Sequence, residues 1–102
     1  MNAILVVDDD PRLREIVRRL LGHAGYDVSE AGSADEAMDR LQARRFGLVL
    51  SDVHMPGRNG MALAAEIRAQ FPATAVIMLT GDHDSSAVVA SMRAGAIDYL
   101  MK

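Results

Sequence analysis

The sequence predicts an α/β domain built on a doubly wound, five-stranded parallel sheet. Three short apolar runs, residues 3–7, 48–50 and 75–79, have the length of strands and lack polar alternation, which is typical of strands buried on both faces. Stretches with helical spacing lie between these runs, so that five strands alternate with four helices along the chain. This alternation favours right-handed crossovers with helices on both faces of the sheet.

Composition limits the chain to one domain, residues 1–102. Half of the residues are hydrophobic and a quarter are charged, as in globular proteins. Cysteine is absent, which excludes disulfides and thiol chemistry, and the net charge of −3 disfavours general nucleic-acid binding. The apolar runs are shorter than a membrane helix, and the N-terminal residues lack the basic region of a signal peptide. We expect a cytoplasmic domain that contacts neither nucleic acid nor membrane.

The first strand and the first helix carry boundary signals. Asp10 is a candidate N-cap, a proline follows it, and Gly22 and Gly25 bracket the other end, which predicts strand Ala3–Val7 followed by helix Pro11–His23. Five apolar residues share one helix face, which we expect to be buried: Leu13, Ile16, Val17, Leu20 and Leu21.

The next strand is more polar than the others. Residues 26–31 are expected at an edge of the sheet, where Asp27 and Glu30 discourage pairing with another chain. Ser33 and Glu36 then form an S-x-x-E capping box, which predicts a helix over residues 34–44.

The second half of the chain repeats this order. A Pro-Gly turn at residues 56–57 precedes a third helix that ends before Pro72. Residues 82–86 lead into a fourth helix that Gly95 ends, and residues 96–101 form the last strand. The apolar helix positions are Met61, Leu63, Ala64, Ile67 and Phe71 in the third helix and Val88, Val89 and Met92 in the fourth.

Polar side chains follow the strands at the points where the strands end. Asp8 and Asp9 follow the first strand, Asp52 the third, Thr80 the fourth and Lys102 the fifth. In an open parallel sheet, ligands bind outside the carboxyl ends of the strands, where the strand order reverses. With the strand order 2-1-3-4-5, the first and third strands are neighbours, so their three carboxylates are expected to converge.

Converging carboxylates need a counter-charge, because two like charges about 4 Å apart repel by roughly 4 kcal/mol at an effective dielectric of 20. Oxygen ligands favour Mg²⁺, which takes one or two carboxylates and uses a phosphate oxygen as a further ligand. A carboxylate can act as a nucleophile toward phosphorus. The ion, the Lys102 ammonium and the Thr80 hydroxyl would then share the charge of the phosphoryl oxygens.

Four motifs follow one another along the chain: Ile-Leu-Val-Val-Asp-Asp-Asp at 4–10, Asp-Val-His-Met-Pro-Gly-Arg-Asn-Gly at 52–60, Leu-Thr-Gly at 79–81, and Gly-Ala-Ile-Asp-Tyr-Leu-Met-Lys at 95–102. In this order and spacing they resemble the response-regulator receiver domain of bacterial two-component systems. The resemblance covers essentially the whole chain. It implies a flavodoxin-like, CheY-like sheet and Mg²⁺ as the cofactor.

By this resemblance Asp52 is the phosphoacceptor, Asp9 is a direct metal ligand and Asp8 is a metal ligand that acts through water. The backbone carbonyl of His54 completes the protein's metal contacts. Lys102 belongs to the catalytic set, although a lysine at a chain end is otherwise usually just solvated.

The resemblance also implies a conformational switch. Thr80 would hydrogen-bond the phosphoryl group and move toward it, and Tyr99 would swing into the vacated space. Simpler roles remain open for the single residues. Without the other motifs, the Asp run is a helix cap, Thr80 an ordinary strand-end residue and Tyr99 a half-buried core aromatic.

The implied function is a phosphoacceptor switch, not an enzyme with a separate substrate, although it promotes its own phosphorylation and dephosphorylation. A phosphohistidine on a sensor kinase or phosphotransfer protein would be the donor. The phosphorylated domain would then control a linked output domain or a separate partner, or form a homodimer. The alternative is a non-phosphorylated pseudo-receiver that acts as an interaction module. The run Asp8-Asp9-Asp10 also occurs in Mg²⁺-dependent phosphohydrolases with an Asp nucleophile, but 102 residues leave no room for a cap or a substrate pocket.

The chain departs from the resemblance at its end. Receiver domains continue past the lysine with a proline and a fifth helix, whereas this sequence stops at Lys102. Without that helix, an apolar side of the last strands is expected to be exposed. Incomplete coverage, truncation and a covering partner chain each explain this, and we favour the first two.

Overall fold

The computed structural model describes residues 3–52, 60–80 and 98–101. The strands are β1 (Ala3–Val7), β2 (Asp27–Ala31), β3 (Leu48–Asp52), β4 (Ala75–Thr80) and β5 (Asp98–Met101). The helices within these ranges are α1 (Pro11–His23), α2 (Ala34–Ala43) and α3 (Gly60–Gln70). The predicted fourth helix lies outside the described residues.

The strands form one parallel sheet in the order β2-β1-β3-β4-β5, which confirms the predicted doubly wound fold. The last residue of β1, Val7, pairs with Ala31 of β2 on one side and with Ser51 of β3 on the other. The strand order therefore reverses between β1 and β3. In folds of this kind, ligands bind at the carboxyl ends of these two strands.

Neighbouring residues of each strand face opposite sides of the sheet, so β1 contributes to two separate cores. Leu5 and Val7 belong to the core under α2 and α3, where Met38 of α2 and Leu63 of α3 are also buried. Val6 belongs to the other core, under α1. Both faces of β1 are thus apolar, which explains why its sequence shows no polar alternation.

The prediction that the apolar face of α1 is buried is confirmed only in part, because no residue of α1 is fully buried and two of the five apolar residues are exposed. Ile16 is 56% exposed and Leu20 is 66% exposed. Val17 and Leu21 do pack against the sheet, but they are only partly buried. The physical reason is that a helix face is buried only where neighbours cover it from several sides, and α1 is the sole helix on this face in the part of the chain that the structure describes.

Local sequence signals explain the helix ends. Asp10 accepts a hydrogen bond from a backbone N–H of the first turn of α1 at 2.9 Å, and Ser33 accepts one from the Glu36 N–H at 3.1 Å. The Glu36 carboxylate accepts from the N–H of Gly32 at 3.3 Å, one residue earlier than a standard capping box. Beyond the end of α1, Gly25 has a φ of 96°, a conformation that glycine adopts without a steric penalty.

Candidate functional site

Three carboxylates meet at the carboxyl ends of β1 and β3. Asp8 directly follows β1, and Asp52 is the last residue of β3. Because β1 and β3 pair in parallel up to Val7 and Ser51, these two strand ends lie side by side. One oxygen atom each from Asp8, Asp9 and Asp52 lies within 4.8 Å of the other two. The structure thus brings together the three carboxylates that the sequence predicted to converge.

The three side chains differ in their contact with solvent. Asp8 is 1% exposed and Asp52 is 6% exposed, whereas Asp9 is exposed. Two carboxylates therefore form the inner wall of the site, and the third lies at its rim.

The donor set suits a small, hard divalent cation. All three candidate ligand groups offer carboxylate oxygens, and Mg²⁺ prefers oxygen ligands while retaining part of its water shell. Water screens buried charges only weakly, so a cation between Asp8 and Asp52 relieves a repulsion that solvent does not remove. The residues present therefore fit the Mg²⁺ ion that the sequence predicted.

Hydrogen bonds fix the backbone of Asp8 relative to two strands. Its N–H donates to the carbonyl of Ala31, the last residue of β2, at 3.1 Å. Its Oδ1 accepts from the N–H of Asp10 at 2.9 Å, which shapes the turn between β1 and α1. Its carbonyl oxygen accepts from Nη1 of Arg14 at 2.6 Å. The position of this carboxylate is therefore set by β2 and α1 as well as by β1.

No motif or capping pattern singles out Arg14, which is one of four arginines in α1. In the structure its side chain is only 20% exposed, and its Nε also donates to Glu30 of β2 at 3.3 Å. Neither partner could be inferred from composition or motif, since one is a main-chain carbonyl and the other lies on a different element. The only sequence signal was its position, one helical turn after the cap residue Asp10.

Of the four remaining predicted site residues, the structure describes the backbone of two. Thr80 is the last residue of β4, and the pairing of Asp52 with Leu79 puts its backbone one position beyond the end of β3. Tyr99 lies in β5 and pairs with Met78. His54 and Lys102 lie outside the described residues, so their predicted contributions to the site stay predictions.

A cavity of about 860 Å³ lies at the opposite end of the sheet, far along the strands from the carboxylates. Its lining includes Ala3 at the start of β1 and Thr74 just before β4. Arg44 in this lining lies over the ring of Phe46, 5.2 Å from its centroid, and forms an ion pair with Asp27 at 2.8 Å. Since its lining lacks the carboxylate cluster, the cavity is not part of the candidate site.

Comparison with known proteins gives one consistent result. A family model described as the response regulator receiver domain matches residues 4–102. Among curated proteins, the chain is 38% identical to the transcriptional regulatory protein AruR of Pseudomonas aeruginosa over 97% of the chain and 42% of that protein. It is 37% identical to the transcriptional regulatory protein FixJ of Bradyrhizobium diazoefficiens over 97% of the chain and 48% of that protein. The chain spans less than half the length of these curated relatives.

Solved structures agree with this match. The response regulator protein TrrA of Thermotoga maritima, crystallised in complex with Mg²⁺-BeF, is 34% identical with a TM-score of 0.90, covering 100% of this chain and 87% of that one. The chemotaxis protein CheY4 of Vibrio cholerae is 33% identical with a TM-score of 0.94, again covering 100% of this chain and 87% of that one. Among the described residues, no helix has the length and apolarity needed to cross a membrane.

Proposed function

The chain belongs to the response regulator receiver domain family, and from this premise we propose that Asp52 is the residue that accepts the phosphoryl group. The observation that carries the proposal is the convergence of three carboxylate oxygens within 4.8 Å at the carboxyl ends of β1 and β3. Of the three residues, Asp52 alone comes from β3, facing the pair that β1 supplies. This arrangement supports a role for Asp52 as the acceptor, which also contributes to the metal site formed with Asp8 and Asp9.

Asp52 acts as the nucleophile. One oxygen of its carboxylate attacks the phosphorus of a phosphohistidine, a new O–P bond forms, and the N–P bond of the donor breaks. The bonding electron pair stays on the imidazole nitrogen, which takes up a proton, and the product on this chain is an acyl phosphate. Because Asp52 is the last residue of a paired strand and is almost fully buried, its carboxylate is held in one place for an in-line approach.

Asp8 and Asp9 would hold Mg²⁺ together with Asp52 and the backbone carbonyl of His54. When bound, the ion supplies positive charge that offsets the carboxylates and the oxygens of the incoming phosphoryl group. Asp9, which is exposed, would be a direct ligand of the ion. Asp8, which is fixed by its hydrogen bonds to Ala31 and Asp10, would bind it through water.

Three further residues complete the proposed switch. Lys102 and Thr80 stabilise the charge on the phosphoryl oxygens, and Thr80 moves toward the phosphoryl group as it binds. Tyr99 then turns inward into the space that Thr80 leaves. The end of β4 beside the end of β3 is a suitable starting position for Thr80, since the two strands pair at Asp52 and Leu79.

The partners follow from the same chemistry. The donor is a sensor histidine kinase or a phosphotransfer protein, and the phosphorylated domain acts on a linked output domain, on a separate partner or through a homodimer. The domain itself contacts neither nucleic acid nor membrane and works in the cytoplasm. It promotes its own phosphorylation and dephosphorylation without turning over a separate substrate, so we place it outside the enzymes.

Labelling with a small phosphodonor tests the assignment of Asp52. Purified wild-type protein is incubated with an acyl phosphate and Mg²⁺, and the phosphorylated residue is located by mass spectrometry. We expect one phosphoryl group on Asp52, removed by hydroxylamine, and no label when EDTA replaces Mg²⁺. Asp52→Asn should remain unlabelled because its amide is not a nucleophile.

Asp39→Asn is the matched control, because Asp39 is an exposed aspartate on α2, away from the site. It should be labelled as fast as the wild type. Equal labelling of wild type and Asp52→Asn would refute the assignment of the acceptor. Labelling of the wild type that is unaffected by EDTA would refute the role of the metal ion.

A further inference from the structure

The first turn of α1 contributes a basic side chain that the receiver chemistry described above does not use. Arg14 donates through Nη1 to the carbonyl oxygen of Asp8 at 2.6 Å and through Nε to Glu30 at 3.3 Å. Two strand ends and one helix therefore meet at a single guanidinium group. Because guanidinium is planar and presents its donors at fixed angles, it holds both acceptors in one geometry.

We propose that Arg14 is a positioning residue for the metal site, which it supports by fixing the backbone of Asp8 and thereby the orientation of the Asp8 and Asp9 carboxylates. The inference rests on the proposed Mg²⁺ site. Arg14 acts through Asp8, and its own donors are directed at a main-chain oxygen and at Glu30, not at the cluster of carboxylate oxygens.

Arg14 differs from Arg18, which lies one helical turn later, in its burial and in its hydrogen-bond partners. Arg18 also pairs with Glu30, at 3.2 Å, but its side chain is 45% exposed. Arg14 is less exposed and adds the short bond to the carbonyl of Asp8. Arg18 thus shares the ion pair of Arg14 without the contact to the site, which makes it a matched control.

Gly32 leaves the space that this arrangement needs. A Cβ atom at position 32 would lie 3.2 Å from Nη1 of Arg14, the same atom that donates to Asp8. That distance is too short for an undisturbed contact, so the guanidinium would have to move. Gly32→Ala therefore disturbs the Arg14 contact without changing any charge.

The decisive measurement is the Mg²⁺ dissociation constant, obtained by calorimetry. Groups that orient metal ligands typically change metal affinity by 10- to 100-fold when removed, and we expect Arg14→Met to weaken Mg²⁺ binding by about tenfold. Arg18→Met should stay within about twofold of wild type, and Arg14→Lys should recover part of the loss because an ammonium still donates to the Asp8 carbonyl. Gly32→Ala should weaken binding in the same direction as Arg14→Met.

The direction in which Mg²⁺ affinity changes distinguishes a positioning role of Arg14 from a simple effect of its charge. Removing a positive charge near a cation site strengthens cation binding if only long-range electrostatics matters. Tighter Mg²⁺ binding by both Arg14→Met and Arg18→Met would therefore overturn the proposal, as would equal weakening by the two variants. Both variants should lose some stability because both remove a contact to Glu30, and Arg14→Met should lose more because it also removes the hydrogen bond to the Asp8 carbonyl.

A second measurement tests the positioning without any metal ion. In EDTA, the N–H of Asp10, which donates to Asp8 Oδ1, should exchange with solvent faster in Arg14→Met than in Arg18→Met. Unchanged exchange would overturn the role of Arg14 even if Asp52 is phosphorylated as proposed. If wild-type protein binds no Mg²⁺, the proposed function fails, and faster exchange in Arg14→Met would still support the positioning of Asp8.

Discussion

Asp52 lies close to two other carboxylates, and the loss of stability caused by their electrostatic repulsion can be measured with one substitution. Asn has nearly the same shape as Asp but carries no charge. A pair of charges about 4 Å apart repels by roughly 4 kcal/mol at a dielectric of 20, and solvent on the open side of the site reduces that value. We expect Asp52→Asn to raise the free energy of unfolding in EDTA by about 1 kcal/mol, measured by urea denaturation.

Mg²⁺ should reverse this order of stability. A ligand present at 100 times its dissociation constant stabilises the folded state by about 2.7 kcal/mol, and the wild type should gain more than Asp52→Asn because it retains all three carboxylates. Asp39→Asn, on the exposed side of α2, should follow the wild type in both conditions. Equal gains for wild type and Asp52→Asn would show that the ion binds elsewhere.

Single residues differ in how far their locations can be predicted from sequence. The convergence of Asp8, Asp9 and Asp52 was predictable because parallel strands end at a common edge, so that the residue after each strand has a known location. The contacts of Arg14 were not, because they involve a carbonyl oxygen and Glu30, which becomes its neighbour only when β2 pairs with β1. Motif and spacing carry no information about such contacts.

At the level of elements, helix capping can be tested most directly at the N-terminus of α2. The Ser33 hydroxyl oxygen accepts the N–H of Glu36 at 3.1 Å, which satisfies one of the backbone donors that a helix leaves unpaired at its start. Removal of an N-cap side chain costs about 1 kcal/mol. Ser33→Ala should therefore lower the free energy of unfolding by about this amount in urea denaturation, with an unchanged dependence on urea concentration.

Ser33→Asp is the control for this substitution, because a carboxylate accepts the same hydrogen bond and also suits the positive end of the helix dipole. It should retain the stability of wild type within about 0.5 kcal/mol. A Ser33→Ala protein as stable as wild type would contradict the capping role.

Element boundaries were predicted best where capping residues mark them and least well where a strand contains polar residues. The apolar run ended the predicted third strand at residue 50, whereas β3 continues to Asp52. Ser51 is buried and its hydroxyl donates to the carbonyl of Asp52 at 3.1 Å, so its burial leaves that hydroxyl satisfied. Hydrophobicity alone does not reveal such pairing.

The polar character of β2 also has a structural use beyond the one predicted. As expected, β2 is an edge strand. Its charged residues do more than discourage pairing with other chains, since Asp27 pairs with Arg44 at 2.8 Å and Glu30 with both Arg14 and Arg18. These ion pairs connect the edge strand to α1 and to the end of α2.

At the level of the whole molecule, the two faces of the sheet are covered unequally in the described residues. The core under α2 and α3 contains fully buried residues from both helices, including Ala37 and Leu63. On the other face, the sheet residues Leu48 and Ile77 are only partly buried, as are Val17 and Leu21 of α1. Helical periodicity predicted which side of α1 is apolar, but not how much of it is covered, because coverage depends on neighbours contributed by other parts of the chain.

Two leucine substitutions measure how much the burial of helix side chains differs between the two faces of the sheet. Leu63 in α3 is fully buried, and truncation of a buried leucine to alanine costs about 2–5 kcal/mol through lost burial and the resulting cavity. Leu20 in α1 is mainly exposed, and truncation at such a position changes stability by about 0.5 kcal/mol or less. Urea denaturation of Leu63→Ala and Leu20→Ala, with the same helix-favouring residue introduced in each, isolates the effect of burial. A loss above about 1 kcal/mol for Leu20→Ala would contradict its exposure, because a mainly exposed side chain buries too little apolar area to contribute that much stability.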